Sequence, residues 1–113
     1  MHELGVVIGV VNKVIQVAES NQLQSVDTIV LQIGQLSSMI PSYIQACYPA
    51  AVDGTMLEQT KLEIEILPAN AMCKACHQVF NIIENRSQCP HCEGDDWGLL
   101  SGKEFIIKEI IAQ

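Results

Sequence analysis

The chain predicts an α+β fold in which two helices pack on a small three-stranded sheet, with a separate cysteine-bearing module inserted between two of the strands. Three observations lead there. Apolar residues recur at helical spacing over 4–18, alternate at strand spacing over 26–33 and 61–67, and are then interrupted by two C-x2-C pairs, Cys73/Cys76 and Cys89/Cys92. A chain of 113 residues suits one small domain with a smaller unit set into it and excludes a large multi-domain enzyme. The expected division is a domain of 1–70 with 102–113 and a module of 71–101.

The first element places Leu4, Val7, Ile8, Val11, Ile15 and Ala18 on one helical stripe, with Asn12, Lys13, Gln16 and Glu19 away from it. The β-branched content favours a strand, but strict alternation fails at Val6-Val7-Ile8. Gly5 and Gly9 weaken a helix by about 1 kcal/mol each relative to Ala, so their expected benefit is close approach to a sheet. In the second element Ile29, Leu31 and Ile33 share a face. Pro41 then opens a helix carrying Ile44, Cys47, Tyr48 and Ala51, which Pro49 should kink or end. Asp53-Gly54 marks the turn out. Leu62, Ile64 and Ile66 oppose Lys61, Glu63 and Glu65 in the next strand, and the Ile-rich stretch Lys103–Ile111 supplies the third.

Composition narrows the function. Hydrophobic residues make up 49% of the chain but aromatic ones only 4%, so the core is built from small aliphatic groups and a metal cross-link would help it. The formal charge is −7, from 6 Lys plus Arg against 13 Asp plus Glu, which opposes nucleic-acid binding because that affinity comes from neutralising phosphates. No stretch approaches the roughly 20 apolar residues of a membrane span. The run Leu4–Val11 lacks a basic region before it and a small-residue cleavage site after it, so the chain is expected to be cytoplasmic.

Cys73-Lys74-Ala75-Cys76 and Cys89-Pro90-His91-Cys92 are separated by the 12 residues 77–88, close to zinc-ribbon spacing. A C-x2-C turn presents two thiolates to one ion, and a tetrahedral Zn(II) takes two such pairs. Four thiolates leave no open coordination position, so the site is expected to be structural rather than catalytic. Disulfides fit poorly with a reducing compartment, and Cys47 leaves an odd count. Cys89-Pro90-His91-Cys92 alone could be a redox pair, but the polar Asn85-Arg86-Ser87-Gln88 precedes it instead of a strand. His77 and His91 read as exposed turn residues, with entry into a metal shell as the sharper alternative. Cys47 reads as a buried small hydrophobe, and Trp97 as a residue packed across the module's base.

Met1-His2-Glu3 opens the chain. The α-amine, the His2 imidazole and the adjacent backbone amides can close fused chelate rings, a nitrogen set that suits square-planar Ni(II) or Cu(II). The first N–H groups of the helix that follows have no intrahelical partner. The positive end of the helix dipole opposes a cation there, and deprotonated amides with the Glu3 carboxylate would have to offset it. Read alone, the tripeptide also fits an ordinary solvated terminus. Both readings stay open on these residues.

Met1-His2-Glu3-Leu4, Ile33-Gly34-Gln35-Leu36-Ser37, Gly54-Thr55 with Leu57, and the two C-x2-C pairs together resemble the HypA/HybF nickel metallochaperones that mature NiFe hydrogenases, over nearly the whole length. The resemblance implies Ni(II) as cargo, held at Met1, His2 and Glu3, and structural Zn(II) held by Cys73, Cys76, Cys89 and Cys92. It implies no catalysis. As partners it implies a nickel-delivery maturation GTPase and the hydrogenase large subunit, with urease maturation as a second client in some lineages. One departure concerns the second helix, which opens on Ile40-Pro41-Ser42 where many relatives carry an acidic residue. A zinc-ribbon adaptor that binds only protein and a thiol-disulfide oxidoreductase are the rival functions.

Overall fold

The computed structural model describes residues 2–112. In chain order the elements are α1 (Glu3–Ser20), β1 (Val26–Gly34), α2 (Pro41–Val52), β2 (Lys61–Leu67), β3 (Asn70–Cys73), β4 (Val79–Asn81), β5 (Trp97–Leu99) and β6 (Phe105–Ala112). Two sheets form, one in the order β2-β1-β6 and the other in the order β4-β3-β5. The first is the expected three-stranded sheet, accompanied by two helices. Among the described residues the chain divides into one unit of 2–32, Ser38–Glu65 and 105–112, and another of Ile33–Ser37 and Ile66–Glu104.

The buried side of α1 differs from the expected stripe. Val7, Val11 and Ala18 are buried as anticipated, but Glu3, Val10 and Val14 complete the buried face while Leu4 and Ile8 stay 46% and 42% exposed. Apolar residues occur all around this helix, so periodicity defined its buried direction poorly and packing against its neighbours decided it. Gly5 and Gly9 lie on the open side, where a Cβ would meet nothing within 4 Å. The expected close approach to a sheet is therefore absent at both.

The end of α1 is closed by its own backbone. Leu23 N–H donates to Ala18 O at 2.9 Å and Gln22 N–H to Glu19 O at 3.2 Å, the paired bonds of a Schellman ending, with Gln22 in the left-handed conformation at φ 55°. The α2 helix starts on Pro41, where a missing N–H costs nothing, and runs through Pro49 to Val52. Pro49 does not end it. Tyr48 and Val52 on either side are buried, and the Tyr48 hydroxyl donates to Thr60 O at 3.0 Å, so tertiary contacts outweigh the lost helical bond.

β1 is the central strand and is buried on both faces, since Thr28 and Val30 are as enclosed as Ile29, Leu31 and Ile33. Alternation puts Gln32 on the same face as Thr28 and Val30. Gln32 and Lys108 both reach the Glu65 carboxylate, at 3.1 Å each, across that face. These two donors, Gln32 first, hold the Glu65 carboxyl below its usual range. Ile66, expected on the apolar face with Leu62 and Ile64, is 50% exposed, near the end of the edge strand β2.

Two glycines fix the base of the second unit. A Cβ on Gly34 would overlap the Gly102 carbonyl, which accepts the Leu36 N–H at 2.7 Å, and Gly102 itself has φ 126° and lies against Ala69. The Gln35 side-chain oxygen accepts from Ala69 N–H at 2.7 Å and from Asn81 Nδ2 at 3.0 Å. The three short strands above this base were not expected as elements. With three or four residues each, they carry no readable periodicity.

Candidate metal centre

β3 carries Cys73 as its last residue and pairs antiparallel with both β4 and β5, so that Met72 faces Val79 and Gly98 while Cys73 faces Trp97. Beneath it lies a small core of Ala69, Ala71, Cys73, Phe80, Ile82 and Cys89, with Cys76, Trp97 and Leu99 packed against it. The Trp97 indole N–H donates to Ser87 O at 2.9 Å. Trp97 thus packs against the module's core, but opposite Cys73 at the metal end and not across the base where the sequence placed it.

The two cysteine pairs fold identically. Cys73 N–H donates to Gln78 O at 2.9 Å and His77 N–H returns to Cys73 O at 2.9 Å. Likewise Cys89 N–H donates to Gly94 O at 2.8 Å and Glu93 N–H returns to Cys89 O at 2.8 Å. His77 and Glu93 each take φ 64°, the left-handed turn that reverses the chain after the second cysteine. Sequence reasoning missed this role because the left-handed positions carry His and Glu rather than Gly.

These turns bring the four sulfurs of Cys73, Cys76, Cys89 and Cys92 within 4.8 Å of one another. Cys73 and Cys92 lie 3.5 Å apart, as do Cys76 and Cys89. A tetrahedral ion with metal–sulfur bonds of about 2.3 Å sets its sulfurs about 3.8 Å apart, so the donor set fits Zn(II) closely. Among the described residues no histidine joins this group. His77 and His91 are both exposed, as the plainer reading expected.

Thiols this close do not ionise independently. The Cys76 backbone N–H, helped by that of Ala75, holds Cys73 down to about 7. The Gly94 N–H favours the Cys92 thiolate, but the neighbouring Cys73 and Cys76 sulfurs outweigh it and push Cys92 up to about 12. A bound divalent cation removes that conflict, since all four groups then serve as thiolates.

The N-terminal residues stand apart from this cluster in chemistry. Met1 lies outside the described residues. His2 is exposed and sits just before α1, where its carbonyl accepts the Val6 N–H at 3.1 Å as a first bond of the helix. Glu3 is the first helical residue and, unlike a solvated terminal residue, is only 7% exposed. The first turn of α2 carries no acidic residue. Cys47 is half-buried on α2 rather than fully enclosed.

The family model described as hydrogenase/urease nickel incorporation, metallochaperone, hypA matches residues 1–112. The hydrogenase maturation factor HypA of Chlorobium limicola is 33% identical over 110 residues, covering 97% of this chain and 95% of the relative. The hydrogenase maturation factor HybF of Salmonella typhimurium is 34% identical over 110 residues, covering 97% of both chains. The fold matches the solution structure of the Ni metallochaperone HypA from Helicobacter pylori at a TM-score of 0.66 and 22% identity, over 99% of this chain and 97% of that one. A second solution structure of a HypA protein matches at a TM-score of 0.73 and 22% identity, covering 100% of this chain and 97% of that one. On the family match across residues 1–112 and the identity to curated relatives over nearly their whole length, the chain belongs to the HypA/HybF family of hydrogenase maturation factors.

Proposed function

We propose that this chain is a nickel carrier for hydrogenase assembly. It binds Ni(II) with Met1, His2 and Glu3 and passes the ion to the NiFe-hydrogenase large subunit together with a nickel-delivery maturation GTPase. Cys73, Cys76, Cys89 and Cys92 hold a structural Zn(II). The observation that carries the nickel half is the position of His2, exposed immediately ahead of α1, with its carbonyl accepting the Val6 N–H. The amides before that point precede the helical ladder, and the imidazole faces solvent, where both can turn toward one ion.

Glu3 supplies the only carboxylate among these three residues, and the Ile40-Pro41-Ser42 start of α2 adds none. The zinc half rests on the four-sulfur geometry, which fills a tetrahedral shell and leaves no site for a substrate. Residues 1–70 with 102–113 act as the nickel-binding domain and 71–101 as the zinc-binding module. The chain works as a cytoplasmic carrier without catalysis of its own, and the family description supports urease as a second client. Among the described residues no helix is long and apolar enough to cross a membrane.

Metal analysis and nickel titration of protein with its native N-terminus test this reading. Zinc near one per chain with uptake of one Ni(II) supports it. Zinc without nickel uptake would instead make the chain a protein-binding adaptor.

A further inference from the structure

We infer that Cys92 is a modification site, the thiol through which a peroxide enters the four-cysteine cluster, and that Cys73 is the thiol that resolves it. This rests on the zinc reading above and deepens it. The four sulfurs are chemically alike but not equally reachable. Cys73 and Cys89 are each 1% exposed, Cys76 is half-buried, and Cys92 is exposed. Each C-x2-C pair therefore contributes one enclosed sulfur and one reachable one, and the most reachable of all is Cys92.

Gly94 keeps that path open. A Cβ at this position would stand 3.3 Å from the Cys92 sulfur and 3.8 Å from the Cys73 sulfur, so the missing side chain leaves the exposed Cys92 without a methyl group against its sulfur. Gly94 does not have a positive φ, unlike Gly54 and Gly102, and its backbone conformation does not demand glycine. A sulfur of the other pair, Cys73, lies 3.5 Å from that of Cys92. Oxidation at Cys92 thus meets a second thiolate across the cluster.

The chemistry balances with hydrogen peroxide as the oxidant. The Cys92 thiolate attacks one peroxide oxygen, forming a sulfenic acid and releasing hydroxide. The Cys73 thiolate then attacks the Cys92 sulfur, a disulfide forms, and a second hydroxide leaves. Two thiolates lose two electrons and one peroxide gains them. An ion deprived of two of its four ligands is released, while Cys76 and Cys89 stay reduced. The product ties the two turns together covalently at the place where the metal held them.

The test uses the full chain, zinc-loaded, in a Cys47→Ala background so that only the cluster thiols report. Zinc is counted before peroxide is added. Limiting hydrogen peroxide is then added in the presence of dimedone to trap sulfenic acid, with zinc release followed by a colorimetric indicator and adducts mapped by mass spectrometry. The first dimedone adduct should fall on Cys92. Without dimedone the first disulfide should be Cys73–Cys92 and should appear with the released zinc. Gly94→Ala, confirmed to hold the same zinc at the start, should slow the release severalfold. A first adduct on Cys76, a first disulfide within a pair (Cys73–Cys76 or Cys89–Cys92), or release unchanged by Gly94→Ala overturns the inference. A chain without zinc before peroxide overturns the metal reading itself, and that result is read at time zero.

Discussion

His77 and Glu93 occupy equivalent places in the two cysteine turns, each at φ 64° and each donating its N–H to the carbonyl of the cysteine four residues before it, at 2.9 Å and 2.8 Å. Neither is glycine, although a left-handed residue with a Cβ costs roughly 1–2 kcal/mol. The cost is accepted because the turn aims two sulfurs at one point. His77→Gly and Glu93→Gly should each raise thermal stability by about 1 kcal/mol without loss of bound zinc. Differential scanning calorimetry with metal analysis checks this. A loss of zinc in His77→Gly would show that the imidazole serves the metal after all.

Metal removal should separate the module from the rest of the fold. A structural zinc contributes on the order of 10 kcal/mol of apparent binding energy, more than the few apolar residues around Phe80 and Ile82 can replace. Chelation, or Cys73→Ser or Cys92→Ser, should red-shift Trp97 emission as the indole loses its packing and its bond to Ser87 O. Most helical circular dichroism should remain, because α1 and α2 lie in the other unit. An unchanged Trp97 spectrum in the zinc-free protein would mean that packing alone holds the module.

Burial pushes the Tyr48 hydroxyl up to about 12, above the ordinary tyrosine value of about 10. Below pH 10 the group is neutral in both folded and unfolded chains and its native contacts are fully retained. Between about 10 and 12 only the unfolded chain ionises, so stability should fall across that window as pH rises. Tyr48→Phe should flatten the fall while losing the bond to Thr60 O. Denaturant melts from pH 9 to pH 12 measure it, and equal slopes in the two proteins would contradict the assignment.

What could be read in the sequence was whatever depends on spacing. The C-x2-C pairs located all four sulfurs, and the stretch Lys61–Leu67 matched the bounds of β2, although Ile66 departed from the alternation. Where apolar residues outnumbered the positions to be buried, the reading failed. In α1 nothing local told Val10 and Val14 from Leu4 and Ile8, and only packing chose between them. Pro49 marked a helix end by local chemistry, but buried Tyr48 and Val52 carried the helix past it. The left-handed His77 and Glu93 had no signal, since such positions announce themselves only when glycine or asparagine fills them. Exposure among the cysteines was equally invisible, because it depends on which face of each turn the module covers.

Nickel binding by His2 is the claim on which the functional account turns, and isothermal calorimetry of Ni(II) into native and His2→Ala protein measures it directly. His2 is exposed, so the substitution should leave fold and zinc intact while tight nickel binding is lost. Residues added before Met1 should do similar damage, because they convert the α-amine into an amide, whereas a C-terminal extension should do none. Acid should weaken the native site as protons compete for the same nitrogens. Should His2→Ala bind Ni(II) as tightly as the native chain, the N-terminal site is wrong and the cargo is held elsewhere, with His77 and His91 the next residues to test.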